Sequence, residues 1–451
     1  MFDAKLNRRG VLGIAAAVTG AAALPVGLSG PAAASTDTSV TAWLDRNAVP
    51  LPRLDAGGRI DDLKALRGIV ADASIVGLGE PSHGGRELFT LRHRALRYLV
   101  ERMGFRTIAF EETFGNGLVM DRYIAGGAGD VRQIVSKAGT LWANEAMVSL
   151  LVWLRCFNRG LPPEERVRFL GTDLVQLRQL NFDELRAHVA AVAPEAVAEI
   201  EGHLAPIGMH GEGSQHVTWY LTRSTEERAV LTEHARAVRA LVAGLPDGPS
   251  TVDAEFARQH ARVICGFYEF YLTNDRAMRD LFMADAVDWS RGLTGHKTVY
   301  WGANSHTGAH PEATYSVPPR PPVTLPGAGF HLRQRHGRGY LSIAVIFDHG
   351  ELYAGWETGS PRVYAIPAPR AGTTDEILGR AKLPNYLVDL RATASPTVAR
   401  WLDSPAEFRL VSSAYDPARD AEYFMKVGSI IDGYDALMHI RRTAAAVPVT
   451  G

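Results

Sequence analysis

Short apolar runs that stop at glycine or acidic residues recur along the first part of the chain. Three of them lie at residues 75–78, 106–110 and 166–170. Each is long enough for one buried strand and too short for a typical helix. Between the first two, apolar residues recur at helical spacing, and we expect this helix to begin at residues 81–82 and to end at Gly104. The order strand–helix–strand builds a parallel sheet with helices on its faces.

The middle of the chain has a different pattern, because its apolar residues keep helical spacing over long distances. We expect helices from about residue 180 to 295, including one long helical stretch at 252–289. Strand-like runs then return at residues 297–301, 340–347, 386–390 and 436–440. The pattern therefore predicts an α/β fold, in which a mostly parallel central sheet is flanked by helices and carries a helical insertion or cap at about 180–295.

Acidic residues stand where three of the predicted strands end. They are Glu80 after the first strand, Glu111 and Glu112 after the second, and Asp173 after the third. In open α/β sheets, ligands bind beyond the carboxyl ends of the strands. We therefore expect these carboxylates to border one shared cleft.

A histidine lies between two carboxylates in the stretch Glu80-x-x-His83-x-x-x-Glu87. If His83 stands in the first turn of a helix, His83 and Glu87 share one helix face. A carboxylate on one ring nitrogen fixes the imidazole tautomer and stabilises the imidazolium, which favours a general base. The same spacing also fits a helix-capping histidine with surface glutamates. It fits, too, a mixed nitrogen and oxygen metal-ligand set made of Glu80, His83, Glu87 and Glu111, although the paired histidines of the helical zinc motif are missing.

Two further residues are candidates for the same site. His306 follows the predicted strand at 297–301 and could serve as an acid or an oxyanion stabiliser. Arg92 lies on the predicted helix after His83 and could bind a carboxylate on its inner face. A loop histidine bonded to backbone and an exposed arginine are the simpler alternatives. No G-x-S-x-G elbow, phosphate-binding loop or dinucleotide fingerprint occurs, which leaves acid–base chemistry on water or a substrate hydroxyl.

The N-terminus has the pattern of a targeting signal. Arg8 and Arg9 open an uncharged run, and the small residues around Ala34 fit a cleavage site. We interpret residues 1–34 as a twin-arginine signal peptide that precedes a single domain at 35–451. The mature protein would then be secreted or held in the cell envelope. A membrane anchor is the alternative, and no other segment of the sequence could span a bilayer.

Composition and charge change this picture little. Apolar residues make up 46% of the chain and charged residues 22%, as in ordinary globular proteins. The net charge of −1, without any long basic block, argues against a nucleic-acid partner. Cys156 and Cys265 both lie in apolar helical patterns, so two buried free thiols are at least as well supported as a disulfide.

Taken together, the motifs resemble the erythromycin esterase family. The matching segments are 79–84 with Glu87 and 92–94; 110–112; Glu145 with 153–155 and Asn158; 169–173; 279–280 with 283–284; and Trp301 with Asn304 and His306. Their order and spacing agree with the family from about residue 75 to 310. The resemblance implies an α/β core with helical additions that hydrolyses an ester or macrolactone with water. It also implies that neither a metal nor another cofactor is obligatory.

By the same analogy, His83 is the general base and His306 assists at the carbonyl or the leaving group. The residues that would orient and polarise the base are Glu80, Arg92 and Glu111. We expect the substrate to be a small ester, lactone or polyketide-like molecule, bound by Glu87, Glu112, Asp173, Asn304 and Arg279. The site could instead drive transesterification, cyclisation or elimination on a secondary metabolite. A metal-dependent hydrolase and a binding protein without catalysis are the remaining hypotheses.

Overall fold

The computed structural model describes residues 31–138, 141–356 and 361–449. The predicted signal sequence lies outside these residues except for its last four positions, with which the first helix begins. Within the described residues, no helix is long and apolar enough to cross a membrane.

The strands follow the apolar runs of the sequence. The runs at 75–78 and 297–301 have the same bounds in the structure, whereas most of the others extend further. In the described residues the strands are β1 (Val49–Pro50), β2 (Ile75–Leu78), β3 (Phe105–Thr113), β4 (Arg168–Asp173), β5 (Lys297–Trp301), β6 (Ala313–Ser316), β7 (Val323–Leu325), β8 (Tyr340–Ala354), β9 (Arg362–Ile366), β10 (Asn385–Asp389), β11 (Ala406–Arg409), β12 (Phe424–Val427) and β13 (Ala436–Thr443).

The helices occupy the segments between the strands and form a long unbroken series between β4 and β5. In the described residues they are α1 (Pro31–Asn47), α2 (Leu66–Val70), α3 (Arg86–Met103), α4 (Phe114–Ile124), α5 (Val131–Ala138), α6 (Glu145–Asn158), α7 (Gln179–Val192), α8 (Val197–Leu204), α9 (Ser214–Leu221), α10 (Thr225–Ala243), α11 (Thr251–Thr273), α12 (Arg276–Thr294), α13 (Asn304–Thr307), α14 (Ala328–His336), α15 (Thr374–Gly379), α16 (Pro396–Leu402) and α17 (Ile430–Gly433).

The larger sheet has nine strands in the order β1-β10-β13-β8-β2-β5-β3-β4, with β9 paired to β8. The neighbours from β13 to β4 in this order all run parallel. The pairings of β1, β10 and β9 are antiparallel. All four residues of β2 are buried, as expected for a parallel strand covered on both faces. The prediction of a mostly parallel central sheet flanked by helices is confirmed.

The helix after β2 begins later than the sequence pattern indicated. Residues 79–85 form a loop, and α3 starts at Arg86. Within the loop, Gly84 packs directly on the backbone of β8, where an added β-carbon would lie 1.9 Å from the Tyr353 carbonyl oxygen. This contact holds the loop against the sheet instead of in a helical turn. The helix ends at Gly104 as predicted, in a left-handed conformation with a φ of 76°.

The segment between β4 and β5 contains helices α7 to α12, which pack around an apolar cluster of their own. The stretch predicted as one long helix at 252–289 is divided between α11 and α12. The division falls at Asn274, which adopts a left-handed conformation with a φ of 54°. Asp275 then caps the second helix by accepting the N–H of Ala277 (2.9 Å). One helix therefore ends, and the next begins, beside the strand ends.

A second sheet was not predicted from the sequence. It has four antiparallel strands in the order β11-β12-β6-β7. Its strands are short and come from two distant parts of the chain, so no local run of residues indicates how they pair. The sheet matters for function because β6 and β7 contribute to the wall of the main cleft.

The two cysteines are not bonded to each other. Cys265 on α11 is buried, as expected. Cys156 on α6 is exposed, so the expectation that both thiols are buried is wrong. The reason is helical geometry, since Cys156 lies one turn after Val152, which is 41% exposed on the same outer face.

Candidate active site

A cleft of about 520 Å³ lies beyond the carboxyl ends of β2, β3 and β5. The loop after β2, the end of β3 and helix α13 after β5 supply the polar groups at its base. The walls combine apolar and polar side chains, and they come from the end of α11, the start of α12, β6 and β7, and the residues that follow β11. Their apolar members include Phe270, Val317, Val323, Leu325, Leu410 and Val411. A concave cleft of this size, with apolar side chains and converging polar groups, is a usual form of a small-molecule site.

His83 is held from behind by a buried ion pair. Its Nδ1 lies 2.7 Å from Oε1 of Glu80, whose Oε2 is paired with Arg92. A carboxylate only accepts hydrogen bonds, so the ring proton lies on Nδ1 and the lone pair on Nε2. In the described part of the chain no side chain is bonded to Nε2, and the ring lines the cleft. His83 is therefore oriented as a base toward the cleft.

Arg92 is fixed on the inner face of α3. Its side chain is fully buried, its Nε donates to the Leu88 carbonyl one turn earlier (3.0 Å), and its guanidinium lies 4.3 Å from the ring centre of Trp301. Trp301 is the last residue of β5, so the arginine joins the helix to the sheet. The simpler alternative of an exposed arginine does not apply.

Trp142 contacts both His83 and the strand that carries Glu111. Its ring meets His83 edge-on, with 4.5 Å between ring centres. Its indole N–H donates to the backbone carbonyl of Glu111 (2.9 Å). Trp142 thus covers His83 with apolar surface and is itself fixed by the sheet.

His306 lies between two carboxylates on the other side of the cleft. Its Nδ1 is 2.6 Å from Oδ1 of Asp280 on α12, and its Nε2 is 3.3 Å from Oε1 of Glu111 on β3. The second oxygen of Glu111 accepts the backbone N–H of Ala303 (2.7 Å). Both ring nitrogens therefore face acceptors, an arrangement that favours the imidazolium form.

Arg279 connects this group to the end of β4. It donates to both carboxylate oxygens of Asp173, and its Nη2 lies 3.5 Å from Oε1 of Glu111. Asp173 is buried and does not line the cleft, whereas Arg279 does. The structure therefore places Asp173 behind Arg279.

The surroundings shift the two imidazoles in opposite directions. Burial lowers the pKa of His83, the charges of His306 and Arg279 lower it further, and Glu111 only partly offsets them. Burial also disfavours charge on His306, but Asp280 and Glu111 outweigh it and raise the pKa of His306 to about 10. At neutral pH the cleft thus contains a neutral imidazole and an imidazolium.

The carboxyl of Glu111 keeps its charge despite its burial. Burial alone would raise its pKa, but His306, His83 and Arg279 together lower the pKa well below its usual range. The separation of 3.3 Å between Glu111 and Nε2 of His306 is long for a charged pair, which typically measures about 2.7–2.9 Å. The N–H of His306 can therefore be shared with a substrate oxygen that enters the cleft.

Glu87 does not reach the site. Its carboxylate accepts the backbone N–H of Ala444 (2.6 Å) and the hydroxyl of Thr443 (3.0 Å), both at the end of β13. The expected pairing of Glu87 with His83 on one helix face is wrong, because His83 lies in the loop before α3. The carboxylate on the histidine is that of Glu80 instead.

Glu112 and Asn304 are also turned away from the cleft. The Glu112 carboxylate accepts the N–H of Thr113 (2.7 Å) and the side-chain amide of Asn116 (3.0 Å). Successive residues of a strand point to opposite faces, so Glu111 and Glu112 do not share the cleft side. The amide of Asn304 exchanges hydrogen bonds with the backbone of Val345 on β8 (2.7 and 3.3 Å). The structure gives both residues contacts that stabilise the fold.

The alternative metal-ligand set is not brought together. The carboxylate of Glu87, on α3, is bonded to residues at the end of β13, and the carboxylate of Glu80 is bonded to Arg92 and His83. Among the residues that the structure describes, no group of three or more His, Cys, Asp or Glu side chains has the arrangement of a metal site.

Sequence reasoning did not assign a role to two residues that the structure brings to the site. Asp280 stood in a motif of the family resemblance but was not singled out, and Trp142 was not considered. Asp280 follows Arg279 on α12. Asp280 places a negative charge beside His306, and Arg279 places a positive charge beside Glu111. The sequence does contain an indication of Asp280, because a charged pair stands in the first turns of a helix whose inner face is mostly apolar.

The α/β fold contains a cleft whose surroundings favour a neutral His83 and a charged His306, an arrangement suited to acid–base chemistry. A family model described as erythromycin esterase matches residues 100–443. Erythromycin esterase type II of Escherichia coli is 34% identical over 132 residues. That match covers 29% of this chain and only 31% of the relative.

Two solved structures are similar over most of their length. A protein of Bacillus cereus superposes with a TM-score of 0.78 at 23% identity, covering 92% of this chain and 99% of the other. A mutant of the erythromycin esterase EreC, in its open conformation, superposes with a TM-score of 0.66 at 17% identity, covering 88% and 98%. At these identities the superpositions show that the fold is shared, and they carry no statement about activity.

The protein belongs to the erythromycin esterase family, as the motifs implied.

Proposed function

We propose that this protein hydrolyses an ester or lactone of a small molecule, with His83 as the general base. The observation that carries the proposal is the pair of histidines in one cleft, where His306 lies between two carboxylates that raise its pKa and burial lowers the pKa of His83. A base must be unprotonated to accept a proton, and a group that stabilises an oxyanion must carry one. The proposed mechanism therefore uses each residue in the form that its surroundings favour.

In the first step, Nε2 of His83 accepts a proton from a water molecule while the water oxygen attacks the ester carbonyl carbon. The electron pair of the carbonyl bond moves to the carbonyl oxygen. The N–H on Nε2 of His306 then donates to this oxyanion, with Glu111 close to the same nitrogen. Glu80, which is paired with Arg92, holds Nδ1 of His83 and stabilises the imidazolium that forms.

In the second step, the tetrahedral intermediate collapses and the bond to the alkoxy oxygen breaks. The leaving oxygen takes the proton from Nε2 of His83, which restores the neutral base. The products are a carboxylic acid and an alcohol, joined in one molecule when the substrate is a lactone. Arg279 lines the cleft and would contact the bound substrate. No covalent intermediate with the protein is needed.

Macrolide esters are the first substrate class to test. The family name and the relative in Escherichia coli support this class. The cleft of about 520 Å³, with apolar and polar residues in its walls, is large enough for a bulky molecule that has both kinds of group. Lactones and simple esters with a large apolar part on either side of the carbonyl fit the same walls.

Hydrolysis in water enriched in oxygen-18 tests the proposed reaction. A panel of macrolides, lactones and simple esters is incubated with the protein, and the products are analysed by mass spectrometry. We expect the heavy isotope in the carboxylic acid product. Turnover without any incorporation would contradict hydrolysis and favour transesterification, cyclisation or elimination on the same base. If no member of a broad panel turns over, a binding protein without catalysis becomes the better account.

Treatment with a chelator separates the proposal from a metal-dependent hydrolase. His83 activates water without a metal in the proposed mechanism, so the rate should be unchanged after exhaustive chelation. Loss of activity that a divalent cation restores would contradict the proposal.

We also propose that the protein is exported through the twin-arginine route and acts in the cell envelope or outside the cell. Support comes from the sequence alone, where Arg8 and Arg9 precede an uncharged run. The test replaces both residues by lysine in a bacterial host with this export route. We expect the native chain in the envelope or medium and the double variant in the cytoplasm. Equal export of both chains, or retention of both, would contradict the proposal.

A further inference from the structure

Asp280 has contacts that the proposed mechanism does not explain. Its Oδ1 lies 2.6 Å from Nδ1 of His306 and also accepts the backbone N–H of Ala328 (3.0 Å). The side chain of Asp280 is 4% exposed. Ala328 is the first residue of α14, so the carboxylate is held by a helix that does not carry the histidine.

The backbones around His306 are packed closely enough to fix this geometry. An added β-carbon on Gly327 would lie 2.2 Å from the carbonyl oxygen of Ser305, and one on Gly329 would lie 2.2 Å from that of Thr307. The start of α14 therefore rests directly on α13, on both sides of His306. Because Ala328 lies between these glycines, its N–H has a fixed position relative to the imidazole.

The other charged and titratable groups around His306 and Asp280 come from several elements. Glu111 on β3 approaches Nε2, and His83 and Arg279 act on the cleft from the β2 loop and α12. Tyr300 on β5, Tyr315 on β6 and His331 on α14 lie close enough to Asp280 for its charge to influence them. Of all these groups, only Asp280 and Glu111 bond to His306.

We infer that Asp280 is a positioning residue, whose carboxylate, anchored on α14, holds His306 as an imidazolium with its Nε2 side toward the cleft. The inference rests on the proposed function and deepens it. Glu111 alone could balance the positive charge of His306, but Nδ1 would then have no partner and the ring could rotate. Asp280 removes that freedom and adds the second negative charge. The histidine thus keeps its proton available for a substrate oxygen at pH values where a free imidazole is neutral.

Asp280→Asn tests the inference, because it removes the charge and keeps the shape and an oxygen for both hydrogen bonds. The readout is the ring titration of His306 by nuclear magnetic resonance in the free protein, assigned with His306→Asn. We expect the native histidine to stay charged through pH 8, and its pKa to fall by about one to three units in Asp280→Asn, the range typical of losing a neighbouring opposite charge. Asp280→Glu should retain the charged histidine.

Asp288→Asn is a matched control on the same helix. Its Oδ1 lies 2.5 Å from Nε2 of His336, so it also pairs a carboxylate with an imidazole, but outside the cleft. This variant should leave the titration of His306 unchanged. With an ester substrate, the alkaline fall of kcat should move to lower pH in Asp280→Asn only, with little change in KM.

An unchanged titration of His306 in Asp280→Asn would overturn the inference. If that variant does not fold, the native protein decides, because titration of His306 near its ordinary pKa of 6.5 would overturn the inference equally well. Absence of ester turnover together with the expected titration shift would contradict the proposed function and would support the relation between Asp280 and His306.

Discussion

The two histidines of the cleft are buried to a similar degree, yet their surroundings favour opposite charge states. One carboxylate, that of Glu80, is hydrogen-bonded to His83, and its second oxygen is already paired with Arg92. The ring of Trp142 also lies against His83. His306 has a carboxylate on each ring nitrogen. Burial alone would make both imidazoles neutral. The difference shows that the partners of the carboxylates, and not the depth of the cleft, decide which histidine is charged.

The opposite charge preferences of the two imidazoles determine which of them accepts a proton and which donates a hydrogen bond. A neutral imidazole whose Nδ1 is held by a carboxylate accepts protons at Nε2, whereas an imidazolium between two carboxylates donates hydrogen bonds. The cleft can therefore remove a proton from water on one side and stabilise an oxyanion on the other.

Removing the base should have the largest effect. We expect His83→Ala to lower kcat at least about a hundredfold, the scale typical of losing a general base. Initial rates on an ester that the native protein hydrolyses provide the measurement. His349→Ala is the control, because that imidazole lies within β8, is 41% exposed and does not line the cleft. A near-normal rate for His83→Ala would show that the neutral histidine is not the base.

Removing the charged histidine should have the next largest effect. We expect His306→Asn to lower kcat about 10²- to 10³-fold, as loss of an oxyanion donor typically does. The acid limb of its pH profile should remain but move to higher pH, because this limb reports His83, which loses a positive charge that lowers its pKa. If His306→Asn instead lost the acid limb, the roles of the two histidines would have to be exchanged.

The buried pair behind His83 should determine stability more than any exposed pair does. Arg92→Met leaves the Glu80 carboxylate buried without its partner and should cost about 3–5 kcal/mol in the free energy of unfolding. Arg122→Met breaks a pair with Glu184 whose side chains are 53% and 41% exposed, and it should cost at most about 1 kcal/mol. Urea denaturation measures both variants. Equal costs would mean that Arg92 does not support the His83 side of the cleft.

The smallest effect concerns the acid limb of the pH profile. Because the pKa of His83 is lowered from 6.5, the base stays neutral at pH 6.5 and is protonated only as the pH falls further. We therefore expect kcat/KM to be retained down to pH 6.5 and to fall below it. The profile is measured in one buffer series at constant ionic strength. A fall that begins above pH 6.5 would contradict a neutral, buried base.

The positions at which apolar runs stop in the sequence predict much of this site. The runs before Glu80, Glu111 and His306 are β2, β3 and β5, which are neighbours in the sheet. Parallel strands that are neighbours bring their carboxyl ends together, so the polar residues after them meet without any knowledge of the rest of the fold. The spacing between His83 and Arg92 made Arg92 a candidate for the inner face of the helix, with an exposed arginine as the simpler alternative.

What the sequence could not supply were contacts across long stretches of chain. The helix after β2 starts at Arg86 because Gly84 packs on β8, a contact between residues far apart in sequence. That shift moved Glu87 away from His83. Asp280 reaches His306 because α12, the last helix of the segment between β4 and β5, packs against β5. Strand geometry, in contrast, could have separated Glu111 from Glu112, since adjacent strand residues face opposite sides.

One measurement tests the central claim most directly: the titration of both histidine rings in the same native protein by nuclear magnetic resonance. The account predicts that at pH 7 His83 is neutral, with its proton on Nδ1, and gains a second proton only below pH 6.5. It predicts that His306 is an imidazolium at the same pH and loses its proton near pH 10. Two histidines that titrate together near pH 6.5 would contradict the account.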